Sequence, residues 1–447
     1  MAKKAAAARR PSPRVVIARL LTPVQEFIRT ESSSGVFLIA AAAVAFAWAN
    51  SPWAASYFAV LDIPVGVGFG AWSLQKPLLL WVNDLLMAGF FFVIGLEIKR
   101  EVLVGELAGW QRASLPAAGA LGGMIVPALI YVAINPGEPA VRGWGVPMAT
   151  DIAFALGVLA LLGPRVPLNL KVFLLALAIV DDLGAVLVIA LFYTAEVNGA
   201  ALLVSLLVWG VALAYGRADG EKPLVFALLG LVMWYFMLKS GVHATIAGVL
   251  MAMTVPLRHK LSTQALQQEL RSLPGQGGDF EQVEMVIGRL EEVLAKAHSP
   301  LHSMEHALAP YVAFLVMPVF AFFNAGVAVG GGEGGLISAV SLGAFFGLLL
   351  GKPIGVAGLV YLAVVSGLTR LPPGIGWSAI VGVGLLAGIG FTMSLFIANL
   401  AFLEQTLLDQ AKIGVLAASV VASLAGLAFL SRALPRRQAA TAAAVRS

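Results

Sequence analysis

Long apolar runs separated by short polar stretches recur along the whole chain. A helix needs about 20 largely apolar residues to cross a hydrocarbon core of about 30 Å, and by that measure the pattern predicts about twelve spanning helices. They fall at 33–50, 78–98, 114–134, 147–162, 168–193, 199–215, 223–238, 242–257, 308–328, 337–364, 376–399 and 411–431. Between the first two, Ile63 to Leu74 alternates apolar residues with small ones, which predicts a β-hairpin on the outer surface. A lone hairpin is marginal in water, so pairing with its copy in a homodimer is expected. The polar loop 258–304 carries Phe280, Val283, Val286, Ile287, Leu290, Val293 and Leu294 at helical spacing with charges between them, the pattern of an amphipathic surface helix.

Composition narrows the class. With 60% hydrophobic and 12% charged residues and a mean hydropathy of +0.91, the chain lacks the polar surface of a water-soluble domain, and the reading is an all-α polytopic membrane protein. The absence of cysteine excludes disulfides, thiolate metal sites and cysteine nucleophiles. The net charge of +5 does not point to nucleic acid, because the cations sit in tails and loops. With the N-terminus inside, the inner segments hold Lys99, Arg100, Arg112, Arg165, Lys171, Arg217, Lys222 and Arg370, and the outer ones only Lys76, Arg142, Lys239 and Lys412, besides the basic loop 258–304 on the inner side. That asymmetry places both termini in the cytoplasm. The organisation read from it is a basic tail over 1–30 running into the first helix, a single transmembrane unit over 31–434, and a disordered tail over 435–447.

Four ionisable residues stand well inside the predicted spans: Asp151, Asp181, Asp182 and Lys352. Each costs about 2.5–3.5 kcal/mol on insertion scales, so each requires an account. Asp181 and Asp182 are adjacent, with seven apolar residues before them and an apolar run after, which sets them near the midplane. Two neighbouring carboxylates in a low dielectric repel and titrate as a pair, so they can carry protons yet bind a cation once ionised. A lone ammonium cannot stay charged in hydrocarbon, and a carboxylate of the pair is the economical partner for Lys352.

Two spans are interrupted. Pro147 and Gly157 bracket a short one around Ala149-Thr150-Asp151, where freed carbonyls, the Thr150 hydroxyl and the Asp151 carboxylate are oxygen ligands for a hard cation. Gly382, Gly384, Gly388 and Gly390 weaken a late span that also carries Thr392 and Ser394. Matching breaks in the fourth and eleventh spans fit a transporter of inverted-topology repeats, spans three to five and ten to twelve, with the broken helices crossing at the site.

These residues resemble the NhaA family of bacterial sodium/proton antiporters, itself an established example of that architecture. The likeness runs from about residue 30 to 431. It rests on Ala149 to Gly163 (ATDIAFALGVLALLG), Leu175 to Gly184 (LALAIVDDLG), Lys239 to Gly248 (KSGVHATIAG), Gly351-Lys352-Pro353 and Gly388 to Ser394 (GIGFTMS). The resemblance implies a bacterial inner-membrane exchanger with a periplasmic hairpin, no cofactor, and Na+ or Li+ and H+ as cargo, acting in pH and sodium regulation. It implies that Asp181 and Asp182 carry ion and proton, with Asp182 the principal ligand of the transported metal ion and Lys352 paired to Asp181. Asp151 and Thr150 offset the ends of the broken helices. Glu97, Lys99, Arg100 and Glu101, with Glu305 and His306, match a cytoplasmic funnel where pH is sensed; His243 and Asp84 have family counterparts too. The chain departs from the pattern in a longer N-terminal tail and in the 258–304 insertion, and both bear on the pH response more than on transport.

Rival chemistries fit less well. An aspartyl protease needs one carboxylate on each of two helices, and a zinc protease of the His-Glu-x-x-His type lacks its motif here. A sodium-coupled symporter for an organic solute needs a roomier polar pocket.

Overall fold

In a computed structural model the described residues are 34–69, 72–194, 197–257, 299–329 and 337–434. The basic N-terminal tail, the C-terminal tail and the amphipathic segment of the 258–304 loop, except 299–304, lie outside them.

The described chain begins with α1 (Ser34–Ala49), which turns by 118° into α2 (Ala54–Leu61). An antiparallel hairpin follows, β1 (Pro64–Phe69) and β2 (Trp72–Pro77), with Pro64 opposite Pro77 and Phe69 opposite Trp72. Its tether is electrostatic: Lys76 on β2 reaches Asp84 in the next helix at 2.7 Å. Then come α3 (Leu78–Leu103) and α4 (Trp110–Ile134). A 3-10 segment (Ala140–Met148) breaks before α5 (Ile152–Ala160), bent by 44°. Next are α6 (Leu168–Phe192), α7 (Gly199–Arg217), α8 (Pro223–Lys239) and α9 (Thr245–Thr254). The chain continues through α10 (Pro300–Asn324) and α11 (Ala339–Val365) to a second broken pair, α12 (Trp377–Ala387) and α13 (Phe391–Ala401), bent by 48°, and ends in α14 (Gln405–Ala433).

Seven of these helices are long and apolar enough to cross a membrane, and the three bent pairs raise the number to ten; α8 and α9 are apolar but shorter. Helix α10 begins at Pro300, earlier than the apolar run alone predicts. Its N-terminus is set by local chemistry: the Ser299 side chain accepts from the His302 amide, and Pro300 occupies the first turn, where its missing N–H is not needed.

The helices form two bodies. Helices α4, α6, α11, α12 and α14 pack together, and α3 packs with α9 beside α7 and α8. Helix α6 is the centre: 67% of its apolar window is buried, against 17% for α7. In the first body α4 and α11 cross at Gly122 and Gly355, where a Cβ on either would strike the other's carbonyl oxygen. Close approach of this kind is what small residues permit between membrane helices. Three π-turns interrupt regular winding: Val82–Leu86 in α3, Val312–Val316 in α10 and Gly347–Gly351 in α11, the last immediately before Lys352.

Candidate functional site

Asp181 and Asp182 sit on α6, 13 and 10 residues from its two ends, or about 20 and 15 Å at 1.5 Å per residue. Both side chains are buried, as are Asp151, Thr150 and Lys352. The lysine stands on the first of the pair: its ammonium donates to Asp181 Oδ2 at 2.6 Å, to Thr150 Oγ1 at 3.0 Å and to the Met148 carbonyl that ends the 3-10 segment. Three donors meet three oxygens, the requirement for holding a charge away from water.

Asp151 faces the break in both pairs. Its Oδ1 caps α5 by accepting from the Phe154 amide at 2.9 Å. Its Oδ2 accepts from the Thr392 amide at 3.2 Å and the Thr392 hydroxyl at 2.5 Å, in the first turn of α13. One carboxylate thus serves two helix N-termini, where partial positive charge collects. The backbones are stitched as well: the Asp151 amide donates to the Ile389 carbonyl at 2.7 Å, and the Thr150 hydroxyl to the Ala387 carbonyl at 2.9 Å. The sequence reading expected freed carbonyls here as cation ligands. In the structure the Asp151 carbonyl is taken by the Ala155 amide and the Met148 carbonyl just before it by Lys352, while at the other break the Ala387 and Ile389 carbonyls are taken by Thr150 and Asp151, since buried peptide groups need partners.

Asp182 is different. Neither of its oxygens accepts a hydrogen bond from any described residue, and the same holds for Oδ1 of Asp181. Asp182 lines a cavity with Asp151, walled by Phe90, Ile94, Val312 and Met393 and lined also by Glu97 and Glu305. Acceptor oxygens turned into a cavity without protein donors are free for a proton or a hard cation.

The mouth residues cluster around Arg100. Its Nε donates to both oxygens of Glu305 at 3.0 Å, and Nη1 to Glu101 Oε1 at 2.5 Å. Glu101 Oε2 accepts from the Glu106 amide at 2.7 Å. His306 lies exposed on α10 against the His302 ring, outside this network. Lys99 turns away from the mouth: its ammonium donates to the Met253 and Val255 carbonyls at 2.7 and 2.6 Å, closing the end of α9. His243 Nδ1 bonds Thr245 Oγ1 at 2.6 Å and packs its ring on Phe396.

The family model described as Na+/H+ antiporter 1 matches residues 25–430. The chain belongs to this family. Among curated members, the Na(+)/H(+) antiporter NhaA of Oleidesulfovibrio alaskensis is 50% identical over 94% of this chain and 96% of its own. NhaA of Koribacter versatilis is 48% identical over 95% and 94%, and that of Albidiferax ferrireducens 50% over 91% and 96%. Membership of the Na+/H+ antiporter 1 family, with this many apolar helices, makes the chain a multi-pass membrane protein.

One polar group in this member of the Na+/H+ antiporter 1 family escaped the sequence reading. Asn83 on α3, Asn324 on α10 and Asn399 on α13 share amide bonds: Asn324 Nδ2 donates to Asn83 Oδ1 at 2.8 Å, and Asn399 Nδ2 to Asn324 Oδ1 at 3.0 Å. The signal lies in the sequence, since an uncharged amide inside an apolar run also needs a partner. Thr392 had been noted only as a polar side chain, and its bond to Asp151 requires both broken helices to be in place.

Proposed function

We propose that this chain exchanges Na+ for H+ at a single buried site in which the two cargoes compete for Asp181 and Asp182. The observation that carries the reading is Asp182: a buried carboxylate with no donor among the described residues, lining a cavity, beside a lysine already bonded to its neighbour. The geometry supports Asp182 as the principal cation ligand, Asp181 as the acid whose charge Lys352 balances, and Asp151 with Thr150 as the groups that hold the broken helices together. Li+, a smaller ion of the same charge, fits the same oxygens. No cofactor enters the exchange.

The architecture proposed around this site has twelve crossings: α1, α3, α4, the pair ending in α5, α6 to α11, the pair α12–α13, and α14. Spans three to five and ten to twelve are the inverted repeats, supported by matching breaks of 44° and 48° that meet through Asp151 and Thr392. The charge asymmetry of the loops supports a bacterial inner-membrane location with both termini cytoplasmic and the hairpin periplasmic, and the marginal stability of a lone hairpin supports its use as a homodimer contact. Glu97, Arg100, Glu101, Glu305 and His306 then stand at the cytoplasmic mouth, where protonation tunes activity with internal pH.

If two protons exchange for one Na+, each cycle moves one net charge, and 100 mV supplies about 2.3 kcal/mol, enough to expel Na+ against an about fifty-fold gradient. Competition has a definite sign. As pH falls below the range where the pair ionises, the apparent Na+ half-saturation rises about tenfold per unit for each displaced proton. Everted vesicles test the assignment: Asp182→Asn is expected to abolish Na+-dependent dissipation of a pH gradient, and retention of the wild-type rate overturns it.

A further inference from the structure

The first turns of α10 read His302-Ser303-Met304-Glu305-His306, which is His-x-x-Glu-His, the reverse of the zinc-protease spacing. The function derived above makes no use of His302. Positions i and i+4 share one helix face, so both imidazoles project together. Their ring centres are 6.3 Å apart with planes at 51°. His302 is half-buried and His306 exposed. A zinc ion bonds imidazole nitrogen at about 2.0–2.1 Å, so small rotations about the side-chain torsions of the exposed ring let one ion take a nitrogen from each.

We propose that His302 and His306 form a binding site for a divalent transition-metal ion of the zinc class, and that its occupancy slows ion exchange. Imidazole selects zinc, nickel or copper over magnesium and calcium, which prefer oxygen. Among the described residues no cluster of three or more His, Asp or Glu is set for a metal, and two imidazoles alone hold a zinc-class ion reversibly. Hydrolytic chemistry of the kind this motif supports elsewhere is excluded by its glutamate: Glu305 is held on both oxygens by Arg100 and cannot serve as a base. The same glutamate explains the coupling. It lines the same cavity as Asp182, so a dication bound one residue away sets positive charge beside the cavity that, in the exchange proposed above, receives Na+.

The test has two arms, and only the second rests on the exchanger reading. Calorimetric titration of the purified full chain with ZnCl2 at pH 8 is expected to show one ion bound, and His302→Gln is expected to weaken it about tenfold. Unchanged binding in His302→Gln overturns the site, whatever the transport result. In everted vesicles, Zn2+ or Ni2+ is expected to slow exchange reversibly on chelation while Mg2+ does not, and His302→Gln to need about tenfold more metal with its metal-free rate intact. Binding without slowing overturns the coupling; loss of metal-free exchange in the wild type fails the exchanger reading alone.

Discussion

Lys352 is the residue on which the buried charge balance turns, since it has three acceptors and one countercharge, all out of reach of water. Breaking such a pair from one side leaves an uncompensated charge and costs about 3–5 kcal/mol, whereas removing both partners is far milder. Lys352→Met is therefore expected to lower thermal stability in detergent sharply, and Lys352→Met with Asp181→Asn to recover much of the loss; equal stability of single and double variants would count against the pairing. Thr392 offers a second reading at this scale. Its hydroxyl gives Asp151 a charge-assisted bond worth about 1.5–3 kcal/mol, part of which is felt at the ion site. Thr392→Val is expected to raise the Na+ half-saturation up to about tenfold at similar maximal rate, with Thr392→Ser restoring it.

At the scale of elements, helix ends matter as much as helix interiors. The carbonyls at the C-terminal end of α9 lack helical partners, and Lys99 takes those of Met253 and of the capping residue Val255. Lys99→Met is expected to reduce thermal stability by about 1–3 kcal/mol while leaving Na+ half-saturation unmoved; a shifted half-saturation would return Lys99 to the ion path. Helices α3, α4, α6 and α11 were legible because hydrocarbon demands a fixed length of apolar sequence, and the four buried charges were legible because hydrocarbon penalises them. Less was readable where the cause is tertiary. The π-turn before Lys352 leaves no mark in the order Gly347-Leu-Leu-Leu-Gly351, since its extra residue is settled by packing against α4 and α14. The start of α10 was hidden by His302, Glu305 and His306, which interrupt the apolar run without interrupting the helix.

Across the whole molecule, the cavity lies where α3 and α10 face the broken helices, and the Asn83–Asn324–Asn399 seam joins the same partners at another level. Phe320, Phe396 and Phe91 fill the intervening space. If the exchange proposed above works by opening the site to one side at a time, a seam present in only one of those states shifts their balance by its own contacts. Asn399→Val is expected to favour opening on the seam's side: Na+ half-saturation should fall in right-side-out vesicles and rise in everted ones. Parallel shifts in both orientations would rule the seam out as a latch. The cysteine-free chain allows the same point to be followed with a single introduced thiol.

Finally, the meeting of α4 with α11 at Gly122 and Gly355 has a mechanical meaning. Main chain meets main chain there, with the Leu359 and Val126 side chains starting close alongside, so little at the contact itself can rearrange. It is a fulcrum. A tilt of α11 about this point that lifts its Ala339 end lowers its Val365 end, and Lys352, three residues from the pivot, moves far less than either end. The ammonium can therefore keep its depth while the longer arms of the same helix swing.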